Sequence, residues 1–315
     1  MNVLVTGGAG YIGSHVVRLL SEAGHFVVSV DDFSTGLPHR LSTKSVNLSL
    51  EAEGSELALQ NLLKEHAIDA VIHFAARKQV GESVEYPELY FKSNIGALAN
   101  LLSAMRNVGI KKLVFSSSAA VYGMPDVEQV SEDTTKIPIN PYGQTKLIGE
   151  WMIENAAVWG LSAVSLRYFN VAGSGWPDLA DKQTLNLIPI IIDRIAKGEP
   201  VTVFGDDYPT EDGSCIRDYI HVMDLARAHI DAISALGEPG NQVFNVGTGS
   251  GSSVFDVISE IKRVSGINFP VEIADRRAGD PPKLVASANR ISSALGWQAE
   301  YGLPEIVSSA WESRE

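Results

Sequence analysis

Cysteine occurs once, as Cys215. A single thiol excludes an intramolecular disulfide and any metal site built from paired cysteines, and it fits a reducing compartment. Basic residues are scarce: 25 lysines and arginines face 38 aspartates and glutamates, for a formal net charge of -13. So acidic a chain repels nucleic acid and anionic membranes, and neither is expected as a partner. A small anion remains possible if a few arginines gather in one cleft. No apolar run approaches the roughly 18 residues needed to span a bilayer. The opening stretch MNVLVTGGAG has no basic region and too short an apolar run for a signal peptide. A cytoplasmic protein is therefore expected. No internal repeat, low-complexity tract or flexible linker is visible. What remains is ordinary for a soluble globular enzyme: 315 residues, 45% hydrophobic and 20% charged, enough for one large core or two fused domains.

Apolar runs alternate with amphipathic segments through the first half. NVLVT, HFVVSVDD, DAVIHFAA, KKLVFSSSAAVYG and SAVSLRYFNV have strand character. YIGSHVVRLLSEAG, ELALQNLLKEH, NIGALANLLSAMRNVG and the segment after NPYGQTK have helical spacing, the first ending at Gly24 as a C-cap. This β–α order predicts a doubly wound parallel sheet of Rossmann type with helices on both faces. After Asn170 the pattern loosens. LIPIIIDRIAKG predicts a helix, VTVFGDDYPTEDGSC a short strand and a long loop, RDYIHVMDLARAHIDAISAL a long amphipathic helix, and QVFNVGTG a strand. The expected division is a nucleotide-binding domain over residues 1–169 plus about 218–249, and a smaller mixed α/β substrate domain over about 170–217 plus 250–315.

GGAGYIG lies between the first strand and the first helix. Glycines without side chains let backbone approach a pyrophosphate, and the helix start offers N–H groups and partial positive charge. Gly7, Gly10, Tyr11, Ile12 and Gly13 are thus candidate cofactor contacts. Asp31 and Asp32 end the second strand, followed by Ser34, Thr35 and Gly36. A carboxylate there accepts hydrogen bonds from the ribose hydroxyls and repels a 2′-phosphate, which favours NAD over NADP.

NPYGQTK places Tyr142 and Lys146 one helical turn apart, with Asn140 as N-cap and Pro141 in the first turn. A phenol has an ordinary pKa of about 10 and is a poor base near neutrality. Cations beside it, Lys146 and an oxidised nicotinamide, would lower that value and make Tyr142 a base toward a sugar hydroxyl. Ser118 ends a central strand, where the crevice of an open parallel sheet lies.

The glycine spacing G-x-x-G-x-x-G, SSSAAVYG and YGQTK together resemble the extended short-chain dehydrogenase/reductase superfamily, whose serine, tyrosine and lysine match Ser118, Tyr142 and Lys146. Longer stretches resemble the UDP-glucose 4-epimerase family within it: VTGGAGYIGSH, IDAVIHFAARKQVGESV, RYFNVAG and, above all, VFGDDYPTEDGSCIRDYIHVMDLARAH. The resemblance runs through nearly the whole chain. It implies reversible inversion at C4 of a UDP-hexose with tightly held NAD: Tyr142 takes the 4-hydroxyl proton, hydride leaves C4, the 4-keto sugar turns, and hydride returns to the other face. It also implies a homodimer paired through helices. Carried over by position, Phe74, Ala75, Ala76, Lys78, Asn94, Ser116 and Phe169 fall at cofactor positions. Asn170, Asn186, Leu187, Thr202, Phe204, Arg217, Tyr219, Arg277, Asp280 and Leu284 fall at uridine-diphosphate or sugar positions. The arginines have the strongest chemical support, since a diphosphate needs donors of permanent charge.

Two departures stand out. Many relatives have an aspartate toward adenine after the third strand; here Asn47 or Glu51 is offered instead. Leu284 stands where some members carry tyrosine against the C2 side of the sugar, which leaves room for an N-acetyl group. Rival readings are a UDP-glucuronate 4-epimerase or another nucleotide-sugar enzyme of the superfamily, and an NAD-binding redox-sensing regulator without chemistry. A 4,6-dehydratase needs an acid and a base beside the catalytic hydroxyl, where this chain has Ala119 and Ala120.

Overall fold

Thirteen strands occur among the described residues, which are 1–277 and 279–314 of this computed structural model. They are β1 (Asn2–Thr6), β2 (Phe26–Asp31), β3 (Lys44–Asn47), β4 (Ala70–His73), β5 (Lys112–Ser116), β6 (Ser162–Tyr168), β7 (Asn170–Ala172), β8 (Val201–Phe204), β9 (Ile216–His221), β10 (Gly240–Val246), β11 (Gly251–Ser253), β12 (Val271–Ala274) and β13 (Lys283–Leu284). Seven of them form one sheet in the order β10-β6-β5-β4-β1-β2-β3. The pairs β1–β2, β1–β4, β2–β3, β4–β5 and β5–β6 are parallel, as the β–α alternation requires. The strand order reverses at β1 and β4, so a ligand crevice is expected beyond their carboxyl ends.

The chain divides into two compact units. The first comprises Met1–Gly123, Lys136–Arg167 and Ala226–Phe244; the second comprises Met124–Thr135, Tyr168–Leu225 and the chain from Asn245 onward. This differs from the expected division at Met124–Thr135, Tyr168–Phe169, Asp218–Leu225 and Asn245–Gly249, all of which group with the second unit. Val130 forms a bridge to Ala286, Asn245 donates to the Val130 carbonyl at 2.8 Å, and Glu132 accepts from the Asn245 N–H at 2.8 Å.

In the first unit, Leu4, Val71 and Leu113 from the central strands pack against Leu59, Leu101 and Met105 from the helices Ser55–Glu65 and Ala97–Val108. All six are essentially fully buried. Each buried side chain of this size contributes about 1.5–3 kcal/mol relative to exposure. The second unit has its own core, with Ile188 and Ile191 from the helix Leu187–Lys197, Val201 and Val203 from β8, and Ile306 and Val307 from the helix Leu303–Glu312.

Three element boundaries differ from the sequence reading. RDYIHVMDLARAHIDAIS is not helical throughout: its start belongs to β9, and the helix begins at Val222. In β9, Asp218, Tyr219, Ile220 and His221 are all buried, and a strand buried on both faces shows no alternation to separate it from a helix. KKLVFSSSAAVYG leaves the strand at Ser116 and continues as a short 3₁₀ turn, Ala119–Tyr122, capped by the Ser118 side chain. The helical reading of NIGALANLL begins with a π-helical turn, Phe91–Gly96, before the α-helix Ala97–Val108.

Candidate functional site

The first half of the site is the turn after β1. Gly7 has φ +72°, and a Cβ there would lie 2.7 Å from the Ala75 backbone nitrogen. A Cβ on Gly13 would lie 2.3 Å from the Gly7 carbonyl oxygen. The chain therefore turns under the helix Tyr11–Glu22 in a space only glycine permits. Gly10 is the N-cap of that helix, with no side-chain cap and no acidic residue in the first turn. Such a helix start is suited to an anion. These features fit a dinucleotide pyrophosphate, with Tyr11 and Ile12 opening the helix.

Asp31 is buried, and its carboxylate already accepts from the N–H of Ala9 and of Phe33, each at 2.9 Å. Burial raises its pKa, against those two hydrogen bonds. An ionised carboxylate has about four acceptor positions, so Asp31 can brace the glycine turn and still accept from a ribose. Gly36 packs on it: a Cβ would meet an Asp31 oxygen at 2.6 Å. Asp32 is exposed and receives the N–H and the hydroxyl of Ser34 at 2.9 and 2.6 Å. Thr35 is exposed between them. Of the two candidates for the adenine side, exposed Asn47 ends β3 beside Asp31, while Glu51 accepts from Ser49 at 2.8 Å.

Phe74 and Ala75 follow β4, and both donate their N–H to the Thr6 carbonyl, at 2.9 and 3.2 Å. This fixes their loop against the glycine turn. The Phe74 ring lies 4.6 Å from the His229 ring, so it packs on the helix Val222–Ser234. Half-buried Ala76 and exposed Lys78 continue the loop. Asn94, in the π-helical turn, accepts from the Arg77 N–H at 2.8 Å and donates to the Arg77 carbonyl at 3.1 Å and to Thr145 at 3.0 Å. Its side chain therefore ties the loop to the helix Pro141–Asn155. That role has no sequence signature beyond an asparagine in a helical run.

Asn140 caps this last helix as expected, accepting from the Gly143 N–H at 2.8 Å, with Pro141 as its first residue. Gly143 is tight against the 3₁₀ turn: a Cβ would meet the Ala120 carbonyl oxygen at 2.5 Å. Tyr142 is thus fixed at the helix start and is buried. Its phenol lies near the Ser118 side chain, which favours the ionised form. The Ser118 oxygen accepts from the Ala120 N–H at 3.1 Å, and its O–H can still act as a donor. Lys146 is buried, donates to the Ser116 carbonyl at 2.8 Å, and sits 5.9 Å from the centre of the Tyr142 ring.

The electrostatics differ from the sequence expectation in one respect. In the protein alone, burial raises the Tyr142 pKa, and the Ser118 side chain only opposes it. A low-dielectric setting penalises phenolate, and the Lys146 ammonium lies over the Tyr142 ring, 5.9 Å from its centre. Lys146 is itself lowered to about 8 by burial, against the nearby negative charge of Glu150. His73, on β4, is lowered to about 3 by burial and by the Lys146 charge, so it is neutral. It shares a 2.6 Å hydrogen bond with Thr6.

The second unit assembles the remaining residues in its own right. On β8, Val201 and Val203 are buried, so Thr202 and Phe204 share the opposite face. The Arg277 guanidinium lies 3.8 Å from the Phe204 ring centre. Arg217, on β9, pairs with Asp280 at 2.8 Å and is opposite Leu284 of β13 in register. Two arginines against one carboxylate leave net positive charge, which suits a diphosphate. Tyr219 is buried, with its pKa raised by burial, and is opposite Asn170 of β7. Asn186 is the N-cap of Leu187–Lys197 and donates to Asp181 at 3.1 Å. Leu187 is partly buried and packs against the core of its unit. Phe169 is buried.

Comparison with known proteins follows the same lines. Residues 3–247 match the model of the NAD dependent epimerase/dehydratase family. The UDP-glucose 4-epimerase of Corynebacterium glutamicum is 44% identical over 317 residues, covering 99% of this chain and 95% of that protein. That of Azospirillum brasilense is 46% identical over 319 residues, covering 98% and 91%. A crystal structure of UDP-glucose-4-epimerase from Stenotrophomonas maltophila, with bound NAD and formylated UDP-arabinopyranose, superposes with a TM-score of 0.94 at 40% identity, covering 100% of this chain and 98% of that one.

Proposed function

The chain belongs to the NAD dependent epimerase/dehydratase family, and from that premise we propose that it interconverts UDP-glucose and UDP-galactose by NAD-dependent inversion at C4. The observation that carries the reading is the buried phenol of Tyr142, near Ser118 and on the same helix face as Lys146. Bound NAD supplies the acceptor, and then the donor, of the C4 hydride. Tyr142 takes the proton of the 4-hydroxyl as C4 becomes a ketone and returns it when the carbinol re-forms. Ser118, donating to the phenol oxygen, favours its charged form. Lys146 holds positive charge over the ring. Gly7, Gly10, Tyr11, Ile12, Gly13, Asp31 and Asp32 are assigned to the cofactor, and Arg217, Arg277 and Asp280 to the nucleotide diphosphate.

The alanines at 119 and 120 favour inversion over dehydration, because neither can move the second proton that loss of water requires. Incubation of the purified protein with UDP-galactose, followed by chromatographic product analysis, tests the reading. UDP-glucose is the expected product, and unchanged substrate would refute it.

Leu284 bears on sugar choice. It lacks a phenol and stands in register with Arg217, so we propose that the C2 side has room for an N-acetyl group. Leu284→Tyr is expected to cut kcat/KM for UDP-N-acetylglucosamine by at least about tenfold while changing that for UDP-glucose less than about threefold, in keeping with the reach of steric discrimination. Equal failure of both proteins on the acetylated sugar would remove the idea. We also propose a homodimer paired through the helices Ala97–Val108 and Pro141–Asn155, the latter presenting a Trp151 that is 57% exposed. A cytoplasmic location is proposed on the single, buried Cys215. Among the described residues, no helix is long and apolar enough to cross a membrane.

A further inference from the structure

Tyr142, Lys146 and Glu150 follow one another at intervals of four on the helix Pro141–Asn155, so they share a helix face. Each reaches one of three consecutive serines at the end of β5. Tyr142 lies near the Ser118 hydroxyl, Lys146 donates to the Ser116 carbonyl, and Glu150 accepts from the Ser117 hydroxyl at 2.5 Å. The third of these contacts has no place in the proton transfer assigned above.

Glu150 is anchored from behind. Arg167, on β6, donates Nε to one Glu150 oxygen at 2.8 Å and Nη2 to the other at 2.5 Å. The same guanidinium donates Nη1 to the Tyr122 hydroxyl at 2.9 Å and lies 5.0 Å from the Tyr122 ring centre. Tyr122 ends the 3₁₀ turn that begins directly after Ser118. The buried pair thus grips the Ser116–Tyr122 segment at both ends, through Ser117 and through Tyr122. Glu150, Arg167 and Tyr122 are all buried. A buried ion pair gives little net stability over an apolar pair of the same size, so fold stability alone is a poor account of it.

We infer that Glu150, held by Arg167, is a positioning residue for the proposed inversion: through Ser117 it sets the Ser116 carbonyl and the Ser118 hydroxyl, and it places a carboxylate one helical turn from Lys146. The inference rests on the proposed 4-epimerase reading. The charged and titratable groups around Lys146 are Tyr142 and Glu150 on its own helix and His73 on β4; behind Glu150 stand Arg167 on β6 and Tyr122. His73 is neutral, and burial lowers Lys146 to about 8 with Glu150 opposing that shift. Loss of the Glu150 charge therefore makes Lys146 give up its proton at lower pH.

Three substitutions separate the two effects, all made in the NAD-bound full chain. Ser117→Ala keeps the Glu150 charge and removes the grip at Ser117 while leaving the one at Tyr122. Its expected result is a fall in kcat of about tenfold, the scale of a misplaced reacting group, with KM within about twofold and the alkaline limb of the kcat profile unmoved. Glu150→Gln keeps an oxygen for Ser117 and removes the charge. Its alkaline limb is expected to move toward neutrality by about one pH unit. Glu150→Asp, which keeps the charge on a shorter stem, is expected to restore the limb to its wild-type position with kcat still reduced. If Glu150→Gln fails to fold, Ser117→Ala decides. Wild-type kcat in Ser117→Ala, or a lower melting temperature in Glu150→Gln with an unmoved limb, would leave the pair purely structural and overturn the inference. A wild-type protein inactive on UDP-galactose would instead defeat the functional reading on which it rests.

Discussion

Tyr142→Phe is expected to lower kcat for UDP-galactose by about 10²–10⁴-fold, the range associated with removing a positioned acid–base group. The substitution removes one oxygen and keeps the ring that fills a buried position at the helix start. The Asn140 cap and the tight Gly143–Ala120 approach do not involve that oxygen. The fold should therefore survive, and KM should change little, because the nucleotide is assigned to other residues. What disappears is the acceptor of the 4-hydroxyl proton and the partner of the Ser118 hydroxyl. Steady-state kinetics with circular dichroism of the variant check this. A native rate from a folded Tyr142→Phe protein would remove the tyrosine from the mechanism.

The second large effect is expected at Gly13, where the constraint is steric. An added Cβ would stand 2.3 Å from the Gly7 carbonyl oxygen and 3.0 Å from the Gly8 Cα, all backbone atoms. Neither side can yield by a rotamer change, so the helix Tyr11–Glu22 must tilt or the turn must open. Either movement displaces the N–H groups assigned to the pyrophosphate. Gly13→Ala is expected to weaken NAD retention at least about tenfold. It should also cost about 1–3 kcal/mol of stability, as overpacked sites do. Quantifying NAD released from the purified variant, with a thermal melt, checks both. Full NAD occupancy with an unchanged melt would show that the turn does not approach the cofactor.

The sheet and the helix bearing Tyr142 were legible because they rest on local rules. Val3, Leu4 and Val5 form an uninterrupted apolar run ending in glycines, and only a buried parallel strand feeding a tight turn accounts for it. Asn140-Pro141 marks a helix start by capping and by a fixed φ. The substrate-side candidates were legible only through resemblance, since Arg217 and Asp280 meet across a long stretch of chain that no periodicity connects. Leu187 illustrates the limit: apolar at a helix start, it suits a ligand or a core equally, and it lies half-buried against the core of its unit. The raised Tyr142 phenol was missed because burial is a tertiary property. Glu150 had a signal that went unused. An acidic residue one turn past Lys146, on a face already holding two buried polar groups, needs a partner, but nothing local identifies that partner as Arg167.

The most direct test of the account uses UDP-galactose carrying deuterium at C4, incubated with the protein in ordinary water. Withdrawal and return of the same hydride keeps the label on its carbon. The account predicts UDP-glucose with deuterium still at C4 and the same final sugar ratio from either starting sugar. Product that has lost the label to solvent, or a sugar lacking water, would contradict it.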